Sequence, residues 1–160
     1  MNILLLESHH WPEVEKIYLE GIETGDATFE TSSPGWEKWN DSHVQHSRWV
    51  AEVDGKIAGW VALSPVSDRC VYGGVAETSV YISEAYRGQG IGKALLLKGI
   101  ESSEENGIWT LNAATFPENK GSINLHLKCG FREIGIREKI GQQNGVWRDT
   151  VLMERRSDKF

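Results

Sequence analysis

Gly88, Gly90 and Gly92 stand within the stretch YRGQGIG at residues 86–92, immediately before an apolar run with helical spacing. Glycine lets an anionic group come close to main-chain N–H groups, and the first turn of a helix aims unpaired donors at it. One helix-end charge contact contributes about 0.3–1 kcal/mol when exposed and up to about 2 kcal/mol when partly buried. Useful affinity therefore needs several N–H groups acting together with Arg87. Two familiar phosphate motifs fit poorly. A dinucleotide fingerprint spaces its glycines G-x-G-x-x-G after the first strand of a βαβ unit, whereas these alternate in mid-chain behind antiparallel strands. A nucleotide P-loop needs a hydroxyl after its lysine, and Gly92-Lys93 is followed by Ala94.

Two further groups carry chemistry. In VAETSVYIS, Val80 and Ile82 alternate with Glu77, Ser79 and Tyr81, which sets a carboxylate on one face of a strand leading into the glycine loop. In PENKGSINLHLKCGF, Asn119, Ser122 and His126 recur at helical spacing and share one helix face. Such a carboxylate can take a proton, and such an imidazole can give or hold one. His9, His10, His43 and His46 form no metal-ligand pattern, so no metal is expected.

These groups need elements to position them. Ile3 to Leu6 reads as a short strand, and Trp11, Val14, Ile17, Tyr18 and Ile22 follow at helical spacing with Pro12 in the first turn. Residues 24–48 read as irregular or partly helical. Asp54-Gly55 joins strands at 48–53 and 56–64, and Asn144-Gly145 turns the last hairpin. Ile91, Ala94, Leu95, Leu97 and Ile100 mark a helix closed by Asn106-Gly107; a strand follows in IWTLNAAT, then a short helix from about Asn119 or Ser122 to Gly130. The order is β-α-irregular-β-β-β-α-β-α-β-β, a mixed α/β (α+β) chain read as one domain over residues 1–160.

Composition narrows the partners. The chain has 160 residues, 39% of them apolar, with seven tryptophans and a formal net charge of −6. A backbone of phosphates needs a basic face, so nucleic acid is not an expected partner, and an anionic ligand has to be caught locally. Cys70 and Cys129 have no CxxC or histidine partner, which fits reduced thiols in a cytoplasm better than a zinc site or disulfide scaffold. The apolar run at residues 3–6 is too short for a leader or a membrane span.

YRGQGIGKALL resembles the pyrophosphate loop of the GNAT N-acetyltransferases, and TFETSSP, AETSVYISEAYRGQGIGKALL, PENKGSINLHLKCGF and GVWRDTVLME together resemble the phosphinothricin N-acetyltransferase group and its amino-acid acyltransferase relatives. The resemblance implies a mostly antiparallel central sheet, splayed where acetyl-CoA enters and flanked by helices. It implies acetyl-CoA as acetyl donor and a small-molecule primary amine as acceptor. Val80, Tyr81 and Ile82 would offer main-chain groups to the pantetheine arm, and Arg87, Gly88, Gln89, Gly90, Ile91 and Gly92 would hold the pyrophosphate. Asn119, Ser122 and His126 would face the thioester, and Lys120 and Lys128 are placed for the 3′-phosphate. Glu77 resembles the general base, His126 takes the position of the acid that protonates the thiolate, and a main-chain N–H near Val80 would meet the oxyanion. Phe29, Glu30, Thr78 and Ser79 resemble acceptor-pocket residues, and Arg69 is the candidate clamp for an acceptor carboxylate.

Free amino acids or analogues such as methionine sulfone, methionine sulfoximine and phosphinothricin are the favoured acceptors. Polyamines, aromatic amino acids and protein amines are alternatives, as are a catalytically silent acetyl-CoA-binding module and a protein-interaction domain. Relatives commonly form homodimers, which points to the C-terminal strands around Trp147. One energetic demand is plain from the sequence. With reference pKa values near 4.3 for Glu and about 8 for an α-amine, direct transfer to Glu77 is uphill by about 5 kcal/mol. Glu77 therefore needs a raised pKa or a water relay.

Overall fold

The computed structural model describes all of residues 1–160. Its strands are β1 (Asn2–Leu5), β2 (Trp49–Val53), β3 (Lys56–Pro65), β4 (Val75–Ile82), β5 (Thr110–Thr115), β6 (Arg132–Gln143) and β7 (Val146–Arg156); its helices are α1 (Trp11–Glu23), α2 (Trp36–Ser42), α3 (Ile91–Glu105) and α4 (Lys120–Lys128). The seven strands form one sheet in the order β1-β2-β3-β4-β5-β7-β6. Every pairing is antiparallel except β4 with β5.

Local chemistry explains most boundaries. Asp54-Gly55 and Asn144-Gly145 both take positive φ at their two central positions, the conformation that matches the twist of a tight hairpin. Pro12 sits in the first turn of α1, where its missing N–H costs nothing. Asn119 Oδ1 accepts from Ser122 N at 3.1 Å and so caps α4. The region expected to be irregular or partly helical contains α2, whose Trp39 is buried against Trp11 and Trp60. Aromatic packing holds this short helix, because seven residues form too little helix to persist alone.

Alternation along the strands builds two cores. Ala76 on β4, Leu111 and Ala113 on β5, and Val151 and Met153 on β7 pack with Leu96, Ile100 and Ile123 from α3 and α4. On the opposite face Trp60, Ala62 and Val50 pack with Val14, Ile17, Tyr18 and Trp39 from α1 and α2, and Tyr81 joins them. Thr78, Val80 and Ile82 follow Ala76 in the alternation and face α3 and α4, while Glu77, Ser79 and Tyr81 face α1 and α2.

The parallel ladder between β4 and β5 lasts for three pairs, Val75 with Thr110, Ala76 with Leu111 and Glu77 with Asn112. Beyond it, β4 continues with β3 alone and β5 with β7 alone. Thr78 Oγ1 donates to the Asn112 carbonyl at 3.2 Å, a side-chain bond closing the ladder where main-chain pairing ends. The sheet is thus split on the C-terminal side of Glu77.

Candidate active site

The split opens into a cleft of about 1270 Å³. Backbone alternation decides which atoms of β4 it meets. Ser83 N donates to Ala58 O at 2.8 Å, and the antiparallel register with β3 then turns the main-chain groups of Tyr81 and Ser79 toward β3. Those of Val80 and Ile82 point toward the gap left by β5. An extended ligand with amide groups can therefore complete the free edge of β4 through Val80 and Ile82. Tyr81 contributes its ring, packed edge-on against Tyr18 with centroids 5.1 Å apart, and burial raises its phenol pKa so that it stays protonated.

The glycine loop closes one end of the cleft. Gly88 and Gly90 have φ of +76° and +80°, a left-handed conformation in which a Cβ is strained. The first helical bond of α3 runs from Ala94 N to Gly90 O, so the N–H groups of Ile91, Gly92 and Lys93 have no partner within the helix. At Gly92 a Cβ would meet Leu125 at 3.2 Å, which is why α3 lies so close to α4. Arg87, Lys93 and Lys128 line the same end; Lys120 does not. Gln89 points back along the loop, with Nε2 donating to Ala85 O at 3.4 Å.

Glu77 and His126 lie on opposite faces of the sheet at the split. Glu77 is exposed to the cleft, yet the protein around its carboxyl desolvates it enough to raise its pKa, and the Arg137 charge partly offsets the rise. His126 is 5% exposed. Its Nδ1 lies 2.7 Å from the Ser122 carbonyl, which can only accept, so Nδ1 carries the proton and Nε2 a lone pair. Nε2 is 3.5 Å from Thr78 Oγ1. Burial lowers the His126 pKa, with the Ser122 bond opposing, so the neutral ring is favoured.

Of the remaining sequence candidates, Phe29, Glu30, Thr78, Ser79, Asn119 and Ser122 all line the cleft. The polar atoms of Asn119 are engaged within the protein: Oδ1 caps α4 and Nδ2 donates to Asp26 O at 3.2 Å. Arg69 lies outside the lining, its guanidinium 5.4 Å from the Tyr72 ring centroid. The guanidinium whose charge reaches Glu77 is that of Arg137 on β6, opposite Thr150, which lines the cleft. Sequence reading missed it because the bulge between Arg137 and Gly141 hides the register of β6.

Residues 9–131 match the acetyltransferase (GNAT) family. The chain belongs to that family. It is 35% identical over 153 residues to a phosphinothricin N-acetyltransferase of Alcaligenes faecalis, covering 90% of this chain and 76% of that one. It is 31% identical over 121 residues to an L-methionine sulfoximine/L-methionine sulfone acetyltransferase of Pseudomonas aeruginosa, covering 74% and 70%. A Sinorhizobium meliloti phosphinothricin acetyltransferase solved in complex with acetyl-CoA superposes with a TM-score of 0.87 at 27% identity, covering 97% of this chain and 87% of that one. This member of the GNAT family is an N-acetyltransferase with acetyl-CoA as its donor substrate, and the residues present fit that ligand: an open strand edge, a glycine cradle, and Arg87, Lys93 and Lys128 in the lining. No helix is long and apolar enough to cross a membrane.

Substituting Gly90 by Val forces a β-branched residue into the left-handed region at the head of α3, at a cost of about 1–2 kcal/mol. Calorimetry should show acetyl-CoA binding weakened by about tenfold or more; unchanged affinity would remove the loop from the donor site.

Proposed function

We propose that the protein acetylates the α-amine of a free amino acid or close analogue, of the methionine sulfone, methionine sulfoximine or phosphinothricin type, with Glu77 as general base. The observation that carries this reading is the position of Glu77 at the last rung of the β4–β5 ladder, on the face covered by the loop bearing Phe29 and Glu30. Acetyl-CoA supplies an acetyl thioester. Glu77 takes the amine's proton, directly or through a water in the open cleft, and its burial-raised pKa reduces the uphill gap to the amine. Val80, with main-chain groups turned to the gap, is the candidate oxyanion donor. The neutral His126 holds its proton on Nδ1, bonded to the Ser122 carbonyl, so its Nε2 has no proton to deliver.

Arg137 is exposed and outside the cleft lining, but its charge reaches Glu77 and on this reading favours an acceptor that carries an anion beside the amine. The curated relatives named for small amino-acid analogues agree with that preference. We also infer a homodimer through the β6–β7 hairpin, whose Ile136, Ile140, Val146 and Trp147 are exposed apolar side chains close in sequence.

Thiol release from acetyl-CoA should occur with methionine sulfone or phosphinothricin and be poor with a polyamine; turnover only on polyamines would refute the acceptor class. Glu77→Gln should lower kcat by roughly 10²-fold or more. Glu77 works as the carboxylate, so kcat/KM should fall on the acid side as it protonates. Removing the neighbouring positive charge in Arg137→Gln raises the Glu77 pKa further, so this acid limb should move to higher pH; an unmoved limb would separate Arg137 from the base. Trp147→Glu should yield a monomer in sedimentation, and a wild-type protein that is already monomeric would dismiss the dimer.

A further inference from the structure

The loop joining α1 to α2 has no regular structure from Gly25 to Gly35, yet it supplies Asp26, Ala27, Thr28, Phe29 and Glu30 to the cleft wall. What holds it lies behind the wall, on β7. Arg148 has a side chain only 14% exposed and does not itself line the cleft. Its Nη1 donates to Gly25 O at 2.6 Å and to Gln143 Oε1, and its Nη2 donates to Asp26 Oδ1 at 2.8 Å and Glu118 Oε2 at 3.1 Å. All four terminal N–H bonds are thus used, on the loop, on β6 and on the turn that begins α4.

Its partners extend the same tether. Gln143 Nε2 donates to Thr28 O at 3.1 Å, and Asn119 Nδ2 donates to Asp26 O. The guanidinium carbon lies 3.8 Å from the Phe116 ring centroid, and Phe116 meets Phe29 edge-on at 4.8 Å. Residues 25–29 are thus tied to β6, to β7 and to the turn before α4 through Arg148, Gln143 and Asn119, beside local bonds from Gly25 N to Ile22 O and from Asp26 N to Thr24 Oγ1.

We propose that Arg148 is a positioning residue for acceptor binding: it locks the wall formed by residues 25–29 to the turn at Glu118-Asn119, so that the acceptor and donor halves of the cleft are set as one unit. The proposal rests on the reading that the acceptor lies against Phe29 and Glu30. The planar fork matters, because a lysine ammonium is a compact charge that cannot bridge carbonyls and carboxylates on three segments.

The test is steady-state kinetics of the full chain carrying Arg148→Leu, Arg148→Lys or Gln143→Ala, with methionine sulfone as acceptor, beside calorimetry with acetyl-CoA and thermal unfolding. Arg148→Leu should raise the acceptor KM about tenfold while kcat and the acetyl-CoA Kd stay within about threefold. Arg148→Lys should recover part of the loss, and Gln143→Ala should raise the acceptor KM more modestly with an unchanged Tm. A merely structural role would lower Tm and degrade all constants together, and that pattern, or an acceptor KM unmoved in all three variants, would overturn the proposal. Should Arg148→Leu fail to fold, the other two variants decide. Should the wild type turn over no amine, the acceptor reading itself fails, and amide exchange of residues 25–29 decides: faster there alone in Arg148→Lys supports the clamp, unchanged exchange refutes it.

Discussion

The three-rung parallel ladder between β4 and β5 is the constraint on which the rest of the site depends. An unpaired strand edge inside a protein is costly unless its polar groups find partners. Here β3 and β4 pack on α1 and α3, while β4, β5 and β7 share one core with Leu96 and Ile100 of α3 and Ile123 of α4. The split is thus a wedge that opens beyond this shared core. Thr78, bonded to Asn112 O, ends the ladder without closing the gap. On our proposal the main-chain groups of Val80 and the N–H of Ile82, whose carbonyl accepts from Arg87 Nε at 3.4 Å, form the template for the extended arm of the donor.

Charge is organised locally about this wedge. The chain as a whole is acidic, so we propose that the coenzyme phosphates are met by three N–H groups at the head of α3 and by nearby cations, not by the global field. The acceptor end is different. Glu77 opens onto the wedge, where partial desolvation raises its pKa while Arg137 limits that rise. His126 is confined to the other sheet face, where burial favours the neutral ring and the Ser122 carbonyl holds its Nδ1 proton.

Much of this was legible in residue types and spacing. Asp54-Gly55, Asn144-Gly145, the glycine loop and the stripe of α3 report local geometry, and local geometry is what single residues encode. The alternation of β4 also gave the correct face for Glu77. What sequence could not reveal depends on pairing between distant segments. No residue announces that β5 leaves β4 after Asn112, that Arg137 comes opposite Thr150, or that Arg148 reaches Gly25 across the fold. Arg69 drew notice as a guanidinium in a variable loop, and the fold stacks it on Tyr72 away from the cleft. Asn119 was expected to face the ligand, and its Nδ2 donates to Asp26 O in the loop between α1 and α2.

The most direct test of the open-edge account is residue-resolved amide exchange with and without saturating acetyl-CoA. Val80 and Ile82 should gain protection on binding, together with Ile91, Gly92 and Lys93 at the head of α3, while Tyr81, already paired with β3, should change little. Exchange at Val80 and Ile82 that is indifferent to acetyl-CoA would contradict the claim that the split sheet is where the donor is held.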